Sequence, residues 1–377
     1  MTRVGVIGGG QLAWMMAKEA PQEDVILIVQ TPHQQDSAVS LAQDVIFAPL
    51  DSVEATAKLA QKCDVITFEN EFVDLNGLQK LADQGVCFRP SLSSLAPLLD
   101  KYEQRSFLAD LGLPVPRFQD FHSSQDLDNF DFPFVLKVRR HGYDGQGTII
   151  VKSNEELKKA LDILGDVPFL IEEFVPFEKE LAVIVARGIA GEVVTYPVVE
   201  TYQKEQICRW TIAPTDITIS QQQEIRAIAT KLLTALDYIG VMGIELFLTP
   251  EGKILVNETA PRTHNSGHYT LDGCHTSQFA LQLQAVTGKK LGNLNLKQEG
   301  ALMVNLLGNQ NPDTDYAPKL KQLSQIKNSF IHWYEKEESR PNRKLGHITI
   351  VIESIDCENL RQDCLKIVEQ INKIWEG

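Results

Sequence analysis

The chain is predicted to fold as a multidomain α/β protein, and three observations carry that prediction. It opens on an apolar, β-rich run that passes through three glycines into a helical pattern, RVGVIGGGQLAWMMAKEA. Strand and helix patterns then alternate to about residue 95, as they do in a parallel sheet. From Lys101 onward, longer strand runs (FPFVLKVRR, PFLIEEFV, KELAVIVARG) surround one glycine-rich loop. At 377 residues with 43% apolar content, the chain can bury more than one core and divide into two or three domains.

The net charge of −14 argues against nucleic acid or an anionic membrane as a partner, so a local basic cluster implies a small anionic ligand. Cys63, Cys87, Cys208, Cys274, Cys357 and Cys364 show neither metal-type spacing nor a dense disulfide framework, which fits reduced thiols in a cytosol. Met1 leads straight into a strand with no signal sequence, and no apolar run is long enough to span a bilayer.

In the first unit, Gly8, Gly9 and Gly10 allow a tight turn, and the helix that follows offers N–H groups to an anion. The second strand, VILIVQ, ends in Gln30 where a dinucleotide site needs a ribose-binding carboxylate, so the nicotinamide reading fails there. Further strands are expected at residues 44–48 and 64–69. Gln11 and the FENE run, residues 68–71, then fall at the carboxyl ends of strands, where ligands of open parallel sheets gather. Taken alone, Glu69 and Glu71 read as solvated loop residues.

In the second unit, YEQRSFLADLG reads as an amphipathic helix, LPVPRF as an extended return, and FPFVLKVRR as a strand carrying Lys137 among apolar residues. The loop HGYDGQGT, with Gly142, Gly145 and Gly147, can fold its N–H groups around phosphates, and Lys137 can add a point charge. A purely structural hairpin loop has the same composition, so the loop alone leaves both readings open. Glu172 and Glu173 end one strand and Glu180 starts the next, which places them at the edges of a cleft.

GIELFLT and KILVNET alternate as two strands joined by a Pro-Glu-Gly turn. With a two-residue loop at Glu251 and Gly252, Glu245 lies across from Glu258. Carboxylates so paired sit about 5 Å apart and repel unless a cation lies between them. Oxygen ligands of this kind suit magnesium, which completes its shell with water and phosphates. The competing reading is a solvent-facing hairpin with two unrelated glutamates. Arg262, His264 and Asn265 follow at once, and an arginine fork fits a planar carboxylate bidentately. The third unit has strands near residues 301–307, 330–334 and 347–352. It also carries a basic run, Lys336, Arg340, Arg343 and Lys344, which as a bare charge run reads as a solvated turn.

Taken in order, these pieces resemble the ATP-grasp superfamily and, within it, the 5-(carboxyamino)imidazole ribonucleotide synthases. The tracts that carry the resemblance span nearly the whole chain: GGGQL, KVRRHGYDGQGT, GVMGIELF, NETAPRTHNSGH and HWYEKEESRPNRKLGH. The related formate-dependent glycinamide ribonucleotide transformylases would carry Pro-His-Asp-Thr-Gly where this chain has Thr-His-Asn-Ser-Gly. Ala13 and Trp14 stand where the family usually has Gly and Arg, and Asn70 where it usually has an apolar residue. The resemblance implies an α/β architecture of three parts: an N-terminal Rossmann-like pre-ATP-grasp domain (1–95), a central ATP-grasp domain (96–296) and a small β-rich C-terminal domain (297–377). It further implies ATP- and bicarbonate-dependent carboxylation of 5-aminoimidazole ribonucleotide through carboxyphosphate, in de novo purine biosynthesis, by a cytoplasmic homodimer.

The resemblance also implies roles for individual residues. Lys101 and Lys137 would hold the ATP phosphates, and Gly142, Tyr143, Asp144, Gly145, Gln146, Gly147 and Thr148 would close over them. Glu172, Glu173, Phe174 and Val175 would form the adenine hinge, and Glu180 would take the ribose. Glu245 and Glu258 match the family's magnesium ligands, with Asn257 beside them at the phosphates. Arg262, His264 and Asn265, with Asp144, would form the catalytic pocket for carboxyphosphate. Lys336 and Arg343, with Lys344, would grip the 5′-phosphate of the imidazole ribonucleotide, while Gln11, Glu71, Tyr143 and Asp144 face its ribose and ring. Two alternatives stand beside this reading: another ATP-grasp ligase acting on a ribonucleotide, and a non-catalytic nucleotide-binding regulator. The intact set Glu245, Glu258, Arg262 and Lys137 speaks against the regulator.

Overall fold

The computed structural model describes every residue except 123, 141–146, 312–313, 337, 354–358 and 377. The opening alternation forms a four-stranded parallel sheet of β1 (Thr2–Ile7), β2 (Val25–Thr31), β3 (Asp44–Phe47) and β4 (Val65–Phe68), ordered β3-β2-β1-β4. The crossovers are α1 (Gln11–Glu19), α2 (Val53–Ala60) and an irregular segment between β2 and β3, and α3 (Leu75–Asp83) follows β4. Ser52 and Asp74 cap α2 and α3 by accepting from Ala55 N–H and Gly77 N–H. Gln30 is a core residue, bonded to Thr56 Oγ1 and to the carbonyls of Pro49 and Ser52.

After the short helix α4 (Leu92–Leu95), α5 (Lys101–Asp110) leads into an antiparallel sheet ordered β5-β8-β6-β7. Its strands are β5 (Phe118–Asp120), β6 (Phe134–Val138), β7 (Thr148–Val151) and β8 (Phe169–Glu173), and α6 (Asn154–Leu164) covers one face. The remaining strands are β9 (Lys179–Arg187), β10 (Val193–Thr195), β11 (Val199–Lys204), β12 (Ile207–Ala213), β13 (Gly240–Leu248), β14 (Ile254–Ala260), β15 (Gly300–Leu307), β16 (Ser329–Trp333) and β17 (Lys344–Ile352). They form one nine-stranded sheet, β14-β13-β9-β11-β12-β15-β17-β16, with β10 beside β9. The strands of the C-terminal part are thus hydrogen-bonded to the central ones through β12 and β15.

Alternation along β13 sorts its side chains. Met242, Ile244, Leu246 and Leu248 join Ile254 and Val256 in a core under α7 (Ile219–Ala235), while Glu245 and Phe247 face the opposite side. The short helix α8 (Thr270–Gly273) precedes α9 (Gln278–Thr287), which is buried along nearly its whole length. Phe279, Leu283 and Val286 of α9 pack on Ala13, Met15 and Met16 of α1. Each fully buried side chain of this size contributes roughly 1.5–3 kcal/mol. Gln282 Nε2 donates to Thr67 Oγ1 of β4 at 2.7 Å, and its Oε1 accepts from Val241 N–H of β13 at 2.6 Å, so one amide joins the two sheets. The C-terminal helices α10 (Ala317–Leu323) and α11 (Leu360–Glu376) close a core over β12, β15 and β17. Among the described residues, no helix is long and apolar enough to cross a membrane.

Candidate active site

The site is built around the β13–β14 hairpin, whose turn differs from the expected two-residue loop. Thr249 N–H donates to Lys253 O at 2.9 Å and Gly252 N–H to Thr249 O at 2.8 Å, so residues 250–252 form the loop. Glu245 nevertheless pairs with Glu258, because the register shifts beyond Leu246↔Val256 and leaves Asn257 as an extra residue. This bulge matters for direction as well as register. Ile254 and Val256 point into the core, so regular alternation would send Glu258 there too; the bulge turns it to the cleft beside Asn257. Asn257 Nδ2 lies 3.5 Å from Glu245 Oε2.

Two lysines converge on this pair. Lys101, the first residue of α5, places Nζ 2.5 Å from Glu258 Oε1. Lys137 of β6 places Nζ 2.6 Å from Glu172 Oε2 and donates to Asn257 Oδ1 at 3.1 Å. Burial opposes ionisation of Glu258, yet Lys101 holds its carboxyl below the ordinary value. Glu245 is pushed up to about 7, first by burial and then by the Glu258 charge. Glu180 of β9 lies on the same face and is also pushed up to about 7, by burial and then by Glu245. The donor set of two carboxylates and an amide oxygen among phosphate-seeking lysines fits magnesium held jointly with phosphates. Among the described residues, no cluster of three or more His, Cys, Asp or Glu side chains forms a self-sufficient metal centre.

Arg105 is a site residue that the sequence reading missed. It lies one turn after Lys101 on α5, is 3% exposed, and forks onto Glu172, with Nε 2.8 Å from Oε1. It also donates to the carbonyls of Val256 and Asn257 at 2.7 Å each, which holds the bulge. Burial opposes ionisation of Glu172, but Arg105 and Lys137 hold its carboxyl down at about 2. The Glu172 side chain is therefore committed to this ion cluster, and Glu173 accepts from Arg117 N–H. Phe174 and Val175 follow the end of β8. Gly147 has φ of +79° and Thr148 opens β7. Gly142, Tyr143, Asp144, Gly145 and Gln146 lie outside the described residues.

The loop after β14 carries the Arg-His-Asn group. Arg262 forks onto Glu71 from the loop that follows β4, with Nε 2.8 Å from Oε2 and Nη2 3.3 Å from Oε1. Glu71 is thus engaged, not solvated. His264 Nε2 stands 3.4 Å from Glu245 Oε1, which joins this loop to the carboxylate pair. Asn265 and Asn305 of β15 exchange amide hydrogen bonds at 3.0 and 2.8 Å, and Asn305 is a second residue the sequence did not reveal.

Glu69 also differs from expectation. It is partly buried and accepts from the N–H groups of Gly10 and Leu12, so the α1 N-terminus is met by a carboxylate of the chain itself. Gly8 is required here: its φ is +124°, and a Cβ would stand 2.4 Å from Glu69 Oε2. Gln11 Oε1 accepts from Lys336 Nζ at 2.9 Å, and Lys336 also reaches Lys344 O at 2.8 Å, so the basic run meets the first unit through Lys336. Arg343 donates to Glu338 O within its own turn, and Lys344 opens β17. Ala13 is buried, Trp14 packs edge-on to Tyr334 at 5.9 Å beneath the Lys18 ammonium, and Asn70 Oδ1 accepts from Phe72 N–H.

Three family models match the chain: the ribonucleotide synthetase preATP-grasp domain over residues 1–96, the ATP-grasp domain over 106–279, and the phosphoribosylaminoimidazole carboxylase C-terminal domain over 301–359. The chain is 51% identical, over 387 aligned positions, to the N5-carboxyaminoimidazole ribonucleotide synthase of Synechocystis sp., with 100% of this chain and 98% of that protein covered. It is similar in structure to the N5-carboxyaminoimidazole ribonucleotide synthetase of Thermotoga maritima, at a TM-score of 0.88 and 38% identity over 98% of each chain. It is also similar to the Aspergillus clavatus N5-carboxyaminoimidazole synthase in complex with ADP and 5-aminoimidazole ribonucleotide. There the TM-score is 0.89 and the identity 31%, over 98% of this chain and 99% of that one.

Proposed function

The chain belongs to the N5-carboxyaminoimidazole ribonucleotide synthase family, and from that premise we propose that it uses ATP and bicarbonate to carboxylate the exocyclic amine of 5-aminoimidazole ribonucleotide. It is an ATP-grasp ligase of purine biosynthesis. The observation that supports this chemistry best is the contact of His264 Nε2 with Glu245 Oε1 at 3.4 Å, since it makes the anion-binding loop continuous with the carboxylate pair. An acceptor held by Arg262, His264 and Asn265 then lies beside a γ-phosphate held by Lys101, Lys137 and the loop of residues 142–148.

Glu245 and Glu258 would hold magnesium, with Asn257 at the phosphates; the bound ion supplies neutralisation of charge that develops in phosphoryl transfer. The chain's own residues do the rest. The backbone of residues 172–175 receives adenine and Glu180 the ATP ribose. A bicarbonate oxygen attacks the γ-phosphorus, the bond to ADP breaks, and carboxyphosphate forms. Arg262 holds Glu71 through Nε and Nη2, and the Nη protons that remain are the donors it would offer this planar anion. Enclosure by His264 and Asn265 keeps water from the intermediate. The amine then attacks the carboxyl carbon, phosphate leaves, and the amine gives up a proton, with Asp144 in the catalytic set. Gln11, Glu71 and Tyr143 face the ribose and ring, and Lys336, Arg343 and Lys344 take the 5′-phosphate.

We divide the chain into domains at 1–95, 96–296 and 297–377, a division that the matched family ranges support. The free thiols of Cys63, Cys87, Cys208, Cys274 and Cys364 fit a reducing cytosol, where we place the enzyme. We take it to be a homodimer, as the family resemblance suggests, and light scattering checks that assembly. The activity is tested by phosphate release from ATP with 5-aminoimidazole ribonucleotide, with bicarbonate, and with both. Full turnover should require both, and release indifferent to the imidazole ribonucleotide would overturn the proposal.

A further inference from the structure

Gln278 opens α9 directly after its N-cap Ser277 and is fully buried, at 0% exposure. Its side-chain amide makes three hydrogen bonds, two of them to one residue. Oε1 accepts from His264 N–H at 2.9 Å, and Nε2 donates to His264 O at 2.7 Å and to His268 Nδ1 at 3.3 Å. An amide that takes both backbone groups of a single residue holds that residue as a neighbouring strand would.

The packing leaves His264 little room elsewhere. A Cβ on Gly243 would stand 2.6 Å from His264 Cβ, and one on Gly267 would stand 2.7 Å from Gln278 Cδ, so the loop is pressed between β13 and α9. His264 Nδ1 meets Ser266, 2.9 Å from its Oγ and 3.4 Å from its backbone nitrogen, so the other ring nitrogen, Nε2, faces Glu245. One turn further along α9, Gln282 ties the same helix to β13 and β4, so Gln278 projects from a fixed support.

We infer that Gln278 is a positioning residue for the carboxyl-transfer pocket, acting by holding His264 with its ring turned toward Glu245. The inference rests on the role given to His264 above. If His264 helps to enclose carboxyphosphate, a loosened His264 admits water, and the intermediate breaks down to bicarbonate and phosphate before the amine can attack. A residue that only supported the fold would lower stability or the active fraction without changing how many phosphates are released per product formed.

Two variants test this. Gln278→Glu keeps the size and the acceptor and loses both donated bonds when ionised, and the α9 N-terminus offsets part of the cost of burying its charge. Gln278→Met keeps the shape and loses all three. With saturating substrates, the ratio of phosphate released to imidazole ribonucleotide consumed should rise at least about threefold in both variants, as expected from losing neutral hydrogen bonds. The dissociation constant of a non-hydrolysable ATP analogue should stay within about twofold of wild type, since uniform nucleotide binding is untouched. His264→Ala should uncouple as well, and adding Gln278→Glu to it should uncouple no further. Should His264→Ala remain coupled, the reading of the pocket itself fails. Uncoupling by His264→Ala with both Gln278 variants as tightly coupled as wild type, or an additive double variant, overturns the role of Gln278 alone.

Discussion

Glu245 and Glu258 face each other across the β13–β14 hairpin, and the bulge at Asn257 brings them to one side. Two carboxylates in that relation cannot both ionise without a counter-charge. Lys101 supplies half of the answer: it is ion-paired with Glu258 at 2.5 Å, so Glu258 keeps its charge and Glu245 tends to keep a proton. A divalent cation with phosphates in the cleft would let both ionise.

The first expectation follows from that pairing. Glu258→Gln removes one charge of the proposed magnesium pair while leaving the hairpin and its bulge intact. Turnover with magnesium and ATP should fall at least about a hundredfold with the fold preserved, as expected for loss of a metal that stabilises phosphoryl transfer. Steady-state kinetics and circular dichroism check it, and near-wild-type activity would remove the magnesium assignment.

A pH dependence comes from the same face. Glu245 and Glu180 are both raised to about 7 in the fold, from an ordinary value of 4.5. The folded state therefore holds more protons than the unfolded one, and their contribution is full below the unfolded pKa and lost as pH rises through about 7. Glu172, held at about 2, has the opposite sign and acts below that window. Between about pH 5 and 7.5 the ligand-free melting temperature should carry a falling contribution from Glu245 and Glu180, whereas the increment from magnesium and an ATP analogue should grow, because the cation needs ionised carboxylates. Thermal melts with and without ligand read both trends; an increment flat with pH would remove Glu245 from the cation site.

The parts of this site legible in the sequence are those whose chemistry is local. The facing glutamates showed in two alternating runs, and Arg262, His264 and Asn265 stood within one tract. The bulge was not legible, because a two-residue loop with regular pairing and a longer loop with one extra residue give Glu245 the same partner. Glu69 read as solvated because the donors it meets belong to a helix from a distant part of the chain. Gln278 and Asn305 are neutral amides among apolar residues, and neither charge nor periodicity marks them. Arg105 could have been found: it follows Lys101 by one helical turn, and two cations so placed on one helix face repel unless anionic groups meet them, here Glu258 and Glu172.

Arg105 also sets the largest stability effect expected here. Arg105→Met would leave Glu172 with Lys137 as its remaining cation and strip hydrogen bonds from the Val256 and Asn257 carbonyls. Breaking a buried ion cluster by removing one partner costs about 3–5 kcal/mol. Urea unfolding should show a loss of that order with an unchanged slope, and a loss within about 0.5 kcal/mol, the range of ordinary surface substitutions, would mean the cluster is solvated.

The last expectation separates the two ends of the ribonucleotide site. Lys336 crosses from the C-terminal part to Gln11 at 2.9 Å, whereas Arg343 donates to the Glu338 carbonyl of its own turn at 3.0 Å. If both grip the 5′-phosphate, each removal deletes a charge-assisted hydrogen bond worth roughly 1.5–3 kcal/mol, or about ten- to a hundredfold in affinity. Lys336→Met and Arg343→Ala should therefore each raise KM for 5-aminoimidazole ribonucleotide by that factor while KM for ATP stays within about twofold, since the nucleotide contacts are elsewhere. Lys336→Met should also lose the bond that draws Gln11 toward β17, so its effect should exceed that of Arg343→Ala. Equal effects of either change on both Michaelis constants would mean that the basic run serves the closure of the cleft as a whole, and the phosphate would have to be sought along another edge.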